Sequence, residues 1–313
     1  MPVSLSTSWC SGRHRDGYEM VKEMADLGFE YIELSHGIRV SLVPGILQAV
    51  HENIVRISSV HNFCPLPNGI QHPAPNLFKP SALGSQESHL WLRHTRRTFE
   101  FAERMKAPLV VTHLGSIDFP FWSPVGKLER MRERVTGAIH EDARYQALLE
   151  KTRAKLKKRM PKFWAQVLRN LERVLSTARE NRVKIGVENR EGIEELPLDD
   201  DFSELFSELS STEHVGYWHD AGHAQIKEWY GLAEHETLLL ENGHRLLGFH
   251  LHDVSAQGRD HQPLGSGVVD FEMIAKYIRP EHALILEFSP ALRSEEVLES
   301  KAFLEDLLAR RTA

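Results

Sequence analysis

The sequence predicts an α/β protein, a closed (β/α)8 barrel with the TIM-barrel architecture and a long helical insertion between the fourth and fifth strands. Eight short apolar, β-branched runs recur along the 313 residues, each followed by turn residues and a stretch of helical periodicity. No Gly-rich phosphate loop follows the first run, where SWCSGRHRDG stands instead. This absence argues against the competing arrangement, an open doubly wound sheet.

The eight predicted strands cover residues 3–8, 30–35, 54–61, 108–114, 183–189, 214–220, 246–253 and 282–288. The segments between the strands have the spacing of apolar residues that is typical of helices. Apolar or small residues alternate at steps of four and three from Trp91 to Met105, which places them on one helix face. Asp270, before FEMIAKYI, has the position of a helix N-cap. Eight such units fit one barrel domain over residues 1–313, with about 60 additional residues.

The additional residues lie mainly in a helical insertion at about 116–182. Within it, residues 151–169 contain eight Lys or Arg residues and no acid, whereas Phe163, Trp164 and Val167 belong to a helix face that packs. One interpretation of the basic run is a solvated helix surface. The other is a clamp for phosphate or a contact in a homo-oligomer. The sequence leaves both open.

The composition limits the classes of partner. There are 44 acidic and 38 basic residues, and the net charge of −6 does not favour binding along a nucleic-acid backbone. No apolar run reaches the roughly 18 residues of a transmembrane helix, so we expect no membrane partner. The N-terminal residues lack the layout of a secretory signal, and the chain has two cysteines. We therefore expect a cytoplasmic protein with reduced thiols.

Histidine is abundant, with 18 residues dispersed along the chain. In a (β/α)8 barrel the carboxyl ends of all strands converge at one mouth, so polar residues there meet although they are distant in sequence. Six imidazoles or carboxylates stand at six predicted strand ends, and buried ionisable groups are costly unless they are paired or bind metal. They are His61, His113, Glu188, Asp220, His250 and Glu287.

A set of three carboxylates and one imidazole is suitable for Mn²⁺ or Zn²⁺, and also for Co²⁺ or Mg²⁺. We expect this divalent metal ion to be held by Glu188, Asp220, His250 and Glu287. His61 and His113 are available either for a second ion, with Glu188 bridging, or for orienting a substrate hydroxyl. Successive side chains of a strand point to opposite faces, so His250 and His252 should both point into the barrel. For the same reason Trp218 and Asp220 should share one face of their strand, whereas His219 should lie on the other.

Eight segments together resemble the xylose-isomerase-like barrel superfamily, which includes sugar-phosphate isomerases and epimerases and the metal-dependent apurinic endonucleases. They are GFEYIELSHG, SSVHNF, VVTHLGS, IGVENR, WHDAGHA, GFHLHDV, DHQPLGSGVVDF and LILEFSP. The resemblance implies that the four residues above hold the shared metal. It also implies that His61 and His113 match the additional ligands of multinuclear members, and that His223 and His261 line the same site.

One position departs from the three-metal endonucleases, which have an Asp two residues before the His of the DHQPLGSG-like segment. Here that position is Arg259, and the acid is displaced to Asp260. This departure argues against a third metal site. His223 and His261 would then be available to contact the substrate. Arg259 is suited either to a substrate phosphate or carboxylate, or to pairing with a nearby acid.

These residues predict a metal-dependent isomerase or epimerase of a small sugar or polyol in carbohydrate metabolism. The resemblance assigns proton removal and return to Glu188 and Glu287. A metal that binds the substrate oxygens would stabilise the enediolate formed between these steps. The expected substrate contacts are His223, His261, Arg259, Trp122 and His252. The alternative is a metal-dependent phosphodiesterase similar to the apurinic endonucleases.

Overall fold

Eight parallel strands form a closed barrel in chain order, and β1 closes it by pairing with both β2 and β8. The computed structural model describes residues 2–120, 123–132, 134–135, 139, 142–209 and 213–312. The strands are β1 (Val3–Ser6), β2 (Tyr31–Leu34), β3 (Arg56–His61), β4 (Leu109–Thr112), β5 (Lys184–Glu188), β6 (Val215–Asp220), β7 (Leu246–Leu251) and β8 (Ala283–Leu286). The predicted (β/α)8 barrel is confirmed.

Helices connect the strands, and several begin at an aspartate that caps the first turn. Asp16 accepts hydrogen bonds from two backbone N–H groups, and Asp270 accepts one from Met273, as predicted. The described helices are α1 (Gly17–Asp26), α2 (Val43–His51), α3 (Ser85–Arg104), α4 (Val125–Arg132), α5 (Ala143–Glu180), α6 (Phe202–Glu208), α7 (Ala221–Trp229), α8 (His235–Asn242), α9 (Phe271–Ala275) and α10 (Ser294–Thr312).

The strands end close to the predicted positions, which fixes where the polar side chains emerge. Glu188 and Asp220 are the last residues of β5 and β6. β4 and β8 end earlier than predicted, so His113 and Glu287 are the first residues after them. All four side chains therefore leave the barrel at its carboxyl end, where they can meet.

The interior below these side chains is filled from alternate strands, as is usual for such barrels. Val111 of β4, Trp218 of β6 and Ile285 of β8 form one buried cluster. The Trp218 indole needs the space left by glycine on the neighbouring strand, because a Cβ on Gly248 would lie 2.7 Å from Trp218 Cζ3. The indole ring lies 5.1 Å from the ring of His250, so it forms the floor of the polar cluster.

Helices α4 and α5 occupy the predicted insertion, and α5 is 38 residues long. Its apolar face is buried against the barrel and α3, including Phe163 and Val167. Polar contacts fix it as well, because Asn170 accepts a hydrogen bond from Ser88 Oγ at 2.9 Å. Among the described residues, no helix has both the length and the apolar character needed to cross a membrane.

Candidate metal centre

Four buried side chains bring their donor atoms together at the carboxyl end of the barrel. Glu188, Asp220, His250 and Glu287 each offer one nitrogen or oxygen, and these atoms all lie within 4.8 Å of one another. They come from β5, β6, β7 and the residue after β8. The barrel register sets Asp220 opposite His250 in the β6–β7 pair, so strand pairing itself holds part of the cluster.

The Nδ1 atom of His250 lies at the centre of the three carboxylates. It is 2.6 Å from Glu188 Oε1, 3.1 Å from Glu287 Oε2 and 3.9 Å from Asp220 Oδ2. Burial opposes a positive charge on His250, but the carboxylates of Glu287, Glu33 and Glu188 outweigh it and raise the pKa of His250 well above its ordinary value. The cluster therefore carries an excess of negative charge that a proton or a divalent cation can neutralise.

The other nitrogen of His250 is held from behind by a buried glutamate. Glu33, in β2, places Oε2 3.1 Å from His250 Nε2. Ser6 Oγ and Ser59 Oγ donate to the Glu33 carboxylate at 2.9 and 2.7 Å, which fixes its orientation. A carboxylate behind a histidine orients the ring and leaves the opposite nitrogen free to bind a metal.

Two further histidines face the second oxygen of Glu188. His61 Nδ1 donates to the carbonyl oxygen of Asn62 at 2.9 Å, and His113 Nδ1 donates to Asn76 Oδ1 at 2.9 Å. Their Nε2 atoms therefore present lone pairs. These atoms lie 3.8 and 2.6 Å from Glu188 Oε2, and His61, His113 and Glu188 make a second group of donors that could hold an ion.

The contact between His113 and Glu188 indicates that this part of the centre is suited to a cation. Asn76 donates its Nδ2 to Glu195, which turns its Oδ1 toward His113 and fixes the Nδ1–H form of that ring. Burial and the nearby Arg190 charge lower the pKa of His113 to about 3, so the ring is neutral. A lone pair on His113 Nε2 thus faces a carboxylate oxygen at 2.6 Å, an arrangement that a bound cation would stabilise.

Asp220 is held by two histidines, one of which needs a glycine beside it. His252 Nε2 donates to Asp220 Oδ2 at 3.0 Å, and the backbone N–H of His223 donates to Asp220 Oδ1 at 2.7 Å. The His252 ring packs directly on Gly222, where a Cβ would lie 2.1 Å from His252 Cε1. The segment DAGH therefore combines an N-cap for α7, a donor carboxylate and a close helix approach.

Arg190 is a buried cation beside the centre that the sequence analysis did not assign. Its Nη1 donates to Glu188 Oε2 at 3.0 Å and lies 3.1 Å from His223 Nδ1, while its Nε donates to Glu195 at 3.3 Å. Burial would raise the pKa of Glu195, but the Arg190 charge outweighs it and lowers this pKa to about 2. Arg190 therefore neutralises two carboxylates at the rim of the centre.

The loop after β7 brings His261 to the site and leaves Arg259 outside it. The backbone N–H of His261 donates to His252 Nδ1 at 2.9 Å, and the ring nitrogen Nδ1 of His261 donates to the carbonyl oxygen of Glu287 at 3.1 Å. Arg259 is exposed, and its guanidinium has no hydrogen bond or ion pair with the described residues. The structure thus brings His223, His252 and His261 to the cluster, whereas Arg259 stays at the surface. Trp122 lies outside the described residues.

Two more donor groups lie at the edge of the centre. His252, His261 and Glu287 form one, and Glu191, His223 and Asp260 form the other. Asp260 therefore lies near His223 although Arg259 occupies the position that carries an acid in the three-metal endonucleases. This displaced acid is partly exposed, as is the imidazole of His261 beside it.

Glu33 and Arg190 are the main residues that sequence reasoning missed. Glu33 interrupts the apolar strand EYIELS one residue before the end of β2, and a carboxylate inside an apolar strand needs a buried partner. Arg190 stands two residues after Glu188, so it projects from the same side of the extended chain. Both signals were present in the sequence.

Comparisons with known proteins agree with this architecture. The family model described as xylose isomerase-like TIM barrel matches residues 21–307. A D-tagatose 3-epimerase-like protein has a TM-score of 0.68 and 17% identity, with 100% of each chain covered. L-ribulose 3-epimerase has a TM-score of 0.68 and 14% identity, covering 100% of this chain and 97% of its own.

A 3-keto-D-glucoside 4-epimerase from E. coli has a TM-score of 0.67 and 13% identity, covering 98% of this chain and 99% of its own. No curated protein matches this chain at a significant level. At these low identities the solved structures establish the shared fold. Together with the family match over residues 21–307, they lead to one conclusion: the chain belongs to the xylose isomerase-like TIM barrel family.

Proposed function

We propose that this protein is a divalent-metal-dependent isomerase or epimerase of a small sugar or polyol. One observation carries the proposal: three buried imidazoles, each held from behind, direct their inner nitrogens at Glu188. The inner nitrogens of His61, His113 and His250 lie 3.8, 2.6 and 2.6 Å from the two oxygens of Glu188. The names of the structural relatives, which include sugar 3-epimerases, support the same class of substrate.

The metal would be held by the four donors that meet within 4.8 Å, namely Glu188, Asp220, His250 and Glu287. Mn²⁺ or Zn²⁺ suits this set, and Co²⁺ or Mg²⁺ is also acceptable. When bound, such a cation makes a proton next to a ketose carbonyl more acidic.

The proton itself would be moved by the two glutamates. Epimerisation requires a base on each face of the reacting carbon, and Glu188 and Glu287 reach the centre from different strands, β5 and β8. Burial would raise the pKa of Glu188, but the neighbouring His113, His250 and Arg190 outweigh it and hold this pKa well below the ordinary value. Glu188 is therefore ionised and able to accept a proton.

The surrounding polar side chains would bind the substrate oxygens and hold the reacting carbon in place. His223 and His261 border the centre and offer ring nitrogens to the substrate, whereas both ring nitrogens of His252 are already bonded, to Asp220 Oδ2 and to the backbone N–H of His261. Arg259 and Trp122 remain proposed contacts for the part of the substrate that extends beyond the barrel mouth. A cytoplasmic location and a homo-oligomer also remain expectations.

Hydrogen exchange with solvent tests the proposed chemistry. The metal-loaded protein is incubated in heavy water with a panel of ketoses, and deuterium on the carbon next to the carbonyl is followed by NMR. We expect exchange with at least one ketose, and a loss of roughly 10²- to 10⁴-fold in Glu287→Gln. The control is Glu281→Gln, an exposed glutamate at the opposite end of β8. Equal exchange in Glu287→Gln and the wild type would contradict the role of Glu287.

The second candidate is a metal-dependent phosphodiesterase similar to the apurinic endonucleases. The group His61, His113 and Glu188 favours it, because Glu188 directs Oε1 to one donor group and Oε2 to the other. Two ions, one held by each donor group, would supply the activated water that phosphodiester hydrolysis needs. Cleavage of an abasic DNA duplex, lost in His113→Asn, would support this candidate, whereas intact duplex at saturating protein would reject it.

A further inference from the structure

A cavity of about 680 Å³ lies between the loop after β4 and helix α5, and the described residues that line it do not belong to the metal centre. Four of the lining side chains are cations: Lys155, Lys158, Arg159 and Lys162. The other walls are apolar and consist of Phe119 and three prolines. A volume of this size is within the usual range for small-molecule sites.

The four cations form one stripe of helix α5. They stand at positions i, i+3, i+4 and i+7, so they share a face over two helical turns. Like charges at these spacings destabilise a helix rather than support it. The chain as a whole has a net charge of −6, so this stripe is a local exception to its acidic character.

Arg159 is held in place before any ligand binds. Its Nη2 donates to the carbonyl oxygen of Asp118 at 2.6 Å, and its guanidinium carbon lies 4.9 Å from the centroid of the Phe119 ring. Its Nε is buried and has no hydrogen-bond partner among the described residues. A fixed, planar guanidinium that lines the cavity is suited to phosphate oxygens.

The acid beside the cavity does not cancel this charge. The carboxylate of Asp118 accepts hydrogen bonds from Lys79 Nζ at 2.8 Å and Ser116 Oγ at 3.3 Å. Among the described residues that line the cavity, none is acidic. Lys158 has no ion pair among the described residues, and its side chain is exposed.

The length of the row of cations indicates the size of the anion that the cavity can bind. The stripe from Lys155 to Lys162 extends roughly 10 Å along the helix axis, which is longer than one phosphate group. Successive phosphates can reach successive cations, and the Phe119 ring and the prolines offer an apolar surface to an organic group. We propose that this cavity binds a small organic diphosphate or polyphosphate, such as a nucleoside diphosphate, separately from the metal centre.

Isothermal titration calorimetry with ADP and with inorganic pyrophosphate tests the proposal, and the two probes separate an organic diphosphate from the free anion. We expect saturable binding of both at low salt, weaker binding at high salt, and tighter binding of ADP. The double variant Lys158→Gln/Lys162→Gln should bind both about 25-fold more weakly, since each lost contact costs about fivefold. Lys151→Gln, an exposed lysine of α5 that does not line the cavity, should bind as the wild type does.

The site is independent of the proposed catalysis, so Glu188→Gln should keep the ADP affinity of the wild type. Phe119→Ala should weaken ADP more than pyrophosphate. No saturable binding of either anion at millimolar concentration would overturn the proposal. Unchanged affinity in the Lys158→Gln/Lys162→Gln variant, with its helix content intact by circular dichroism, would also overturn it. If a DNA duplex displaced ADP at much lower concentrations, the ligand of this cavity would be a nucleic acid, and the proposed small molecule would be wrong.

Discussion

The Oε2 atom of Glu33 lies 3.1 Å from His250 Nε2, on the opposite side of the imidazole from the carboxylates of Glu188 and Glu287. This contact gives the innermost histidine of the centre a fixed ring orientation. Since Glu33 is itself fixed by Ser6 and Ser59, the orientation is set by three strands of the barrel before a metal binds.

Glu33→Gln should weaken metal binding by roughly tenfold, within the range usual for residues behind a metal ligand. The amide keeps the shape of Glu33 but removes its charge, so His250 becomes a poorer ligand. Titration with Mn²⁺ and Zn²⁺ by calorimetry measures the change. Glu30→Gln, at an exposed position just before β2, is the matched control. The same affinity in Glu33→Gln and Glu30→Gln would show that Glu33 does not support the centre.

Gly222→Ala should disturb the centre through His252. A Cβ at Gly222 would lie 2.1 Å from His252 Cε1, so the ring must move away from Asp220. We expect a loss of about 1–3 kcal/mol in unfolding free energy, as for an overpacked core, together with weaker metal binding. Urea denaturation and metal titration measure both. Gly243→Ala has no atom within 4 Å of its new methyl group and should be close to neutral.

Arg190→Gln should destabilise the protein by about 3 kcal/mol, because it leaves the buried carboxylates of Glu188 and Glu195 without their cation. Adding Glu195→Gln should recover part of the loss, since one unpaired charge is then removed. A double-mutant cycle of urea denaturation at neutral pH gives this coupling. Additive effects of the two substitutions would mean that Arg190 and Glu195 do not stabilise each other.

Asp201→Asn should stabilise the protein at pH 7 but not at pH 4. Burial, with the charges of Glu204 and Asp200 next, raises the pKa of Asp201 from 3.8 to about 6 in the folded state. The folded protein therefore binds a proton at the Asp201 carboxylate more tightly than the unfolded chain does. As the pH rises through the interval between these two pKa values, ionisation of Asp201 lowers the stability of the folded state. Asp201 Oδ2 is buried without a hydrogen-bond partner among the described residues, which agrees with that cost.

The gain in Asp201→Asn at pH 7 should be about 1 kcal/mol after allowance for solvent screening. Thermal unfolding at both pH values measures it. Asp306→Asn, at an exposed position of α10, serves as the control. An equal effect of Asp201→Asn at pH 4 and pH 7 would rule out the titration of Asp201 as the cause.

The barrel was predictable because its strands are short apolar runs whose ends carry the polar residues. The alternation of side chains along a strand also predicted correctly which side chains of β6 point into the barrel and which point outward. Trp218 lies in the barrel interior beside His250, whereas His219 faces outward, with Nε2 2.9 Å from His235 Nε2 of helix α8. These features depend on local periodicity alone, which a single sequence contains.

The remaining features depend on contacts between distant segments. Glu33 interrupts an apolar strand, but its partner His250 is 217 residues away. Loop conformations were also beyond reach, because the sequence did not indicate that Arg259 is exposed while His261 turns inward with a positive φ of 53°. Local sequence patterns place strand ends, but they do not specify how a loop folds over them.

Glu188, Asp220, His250 and Glu287 are proposed to hold a divalent cation, and the metal content of the purified protein is the direct test. Elemental analysis of the purified protein should find about one Mn²⁺ or similar ion per chain, or two if His61 and His113 hold another. Glu188→Gln and Asp220→Asn should lose the ion, whereas Glu281→Gln should keep it. No metal in the wild type after reconstitution, or full metal content in both site variants, would contradict the claim.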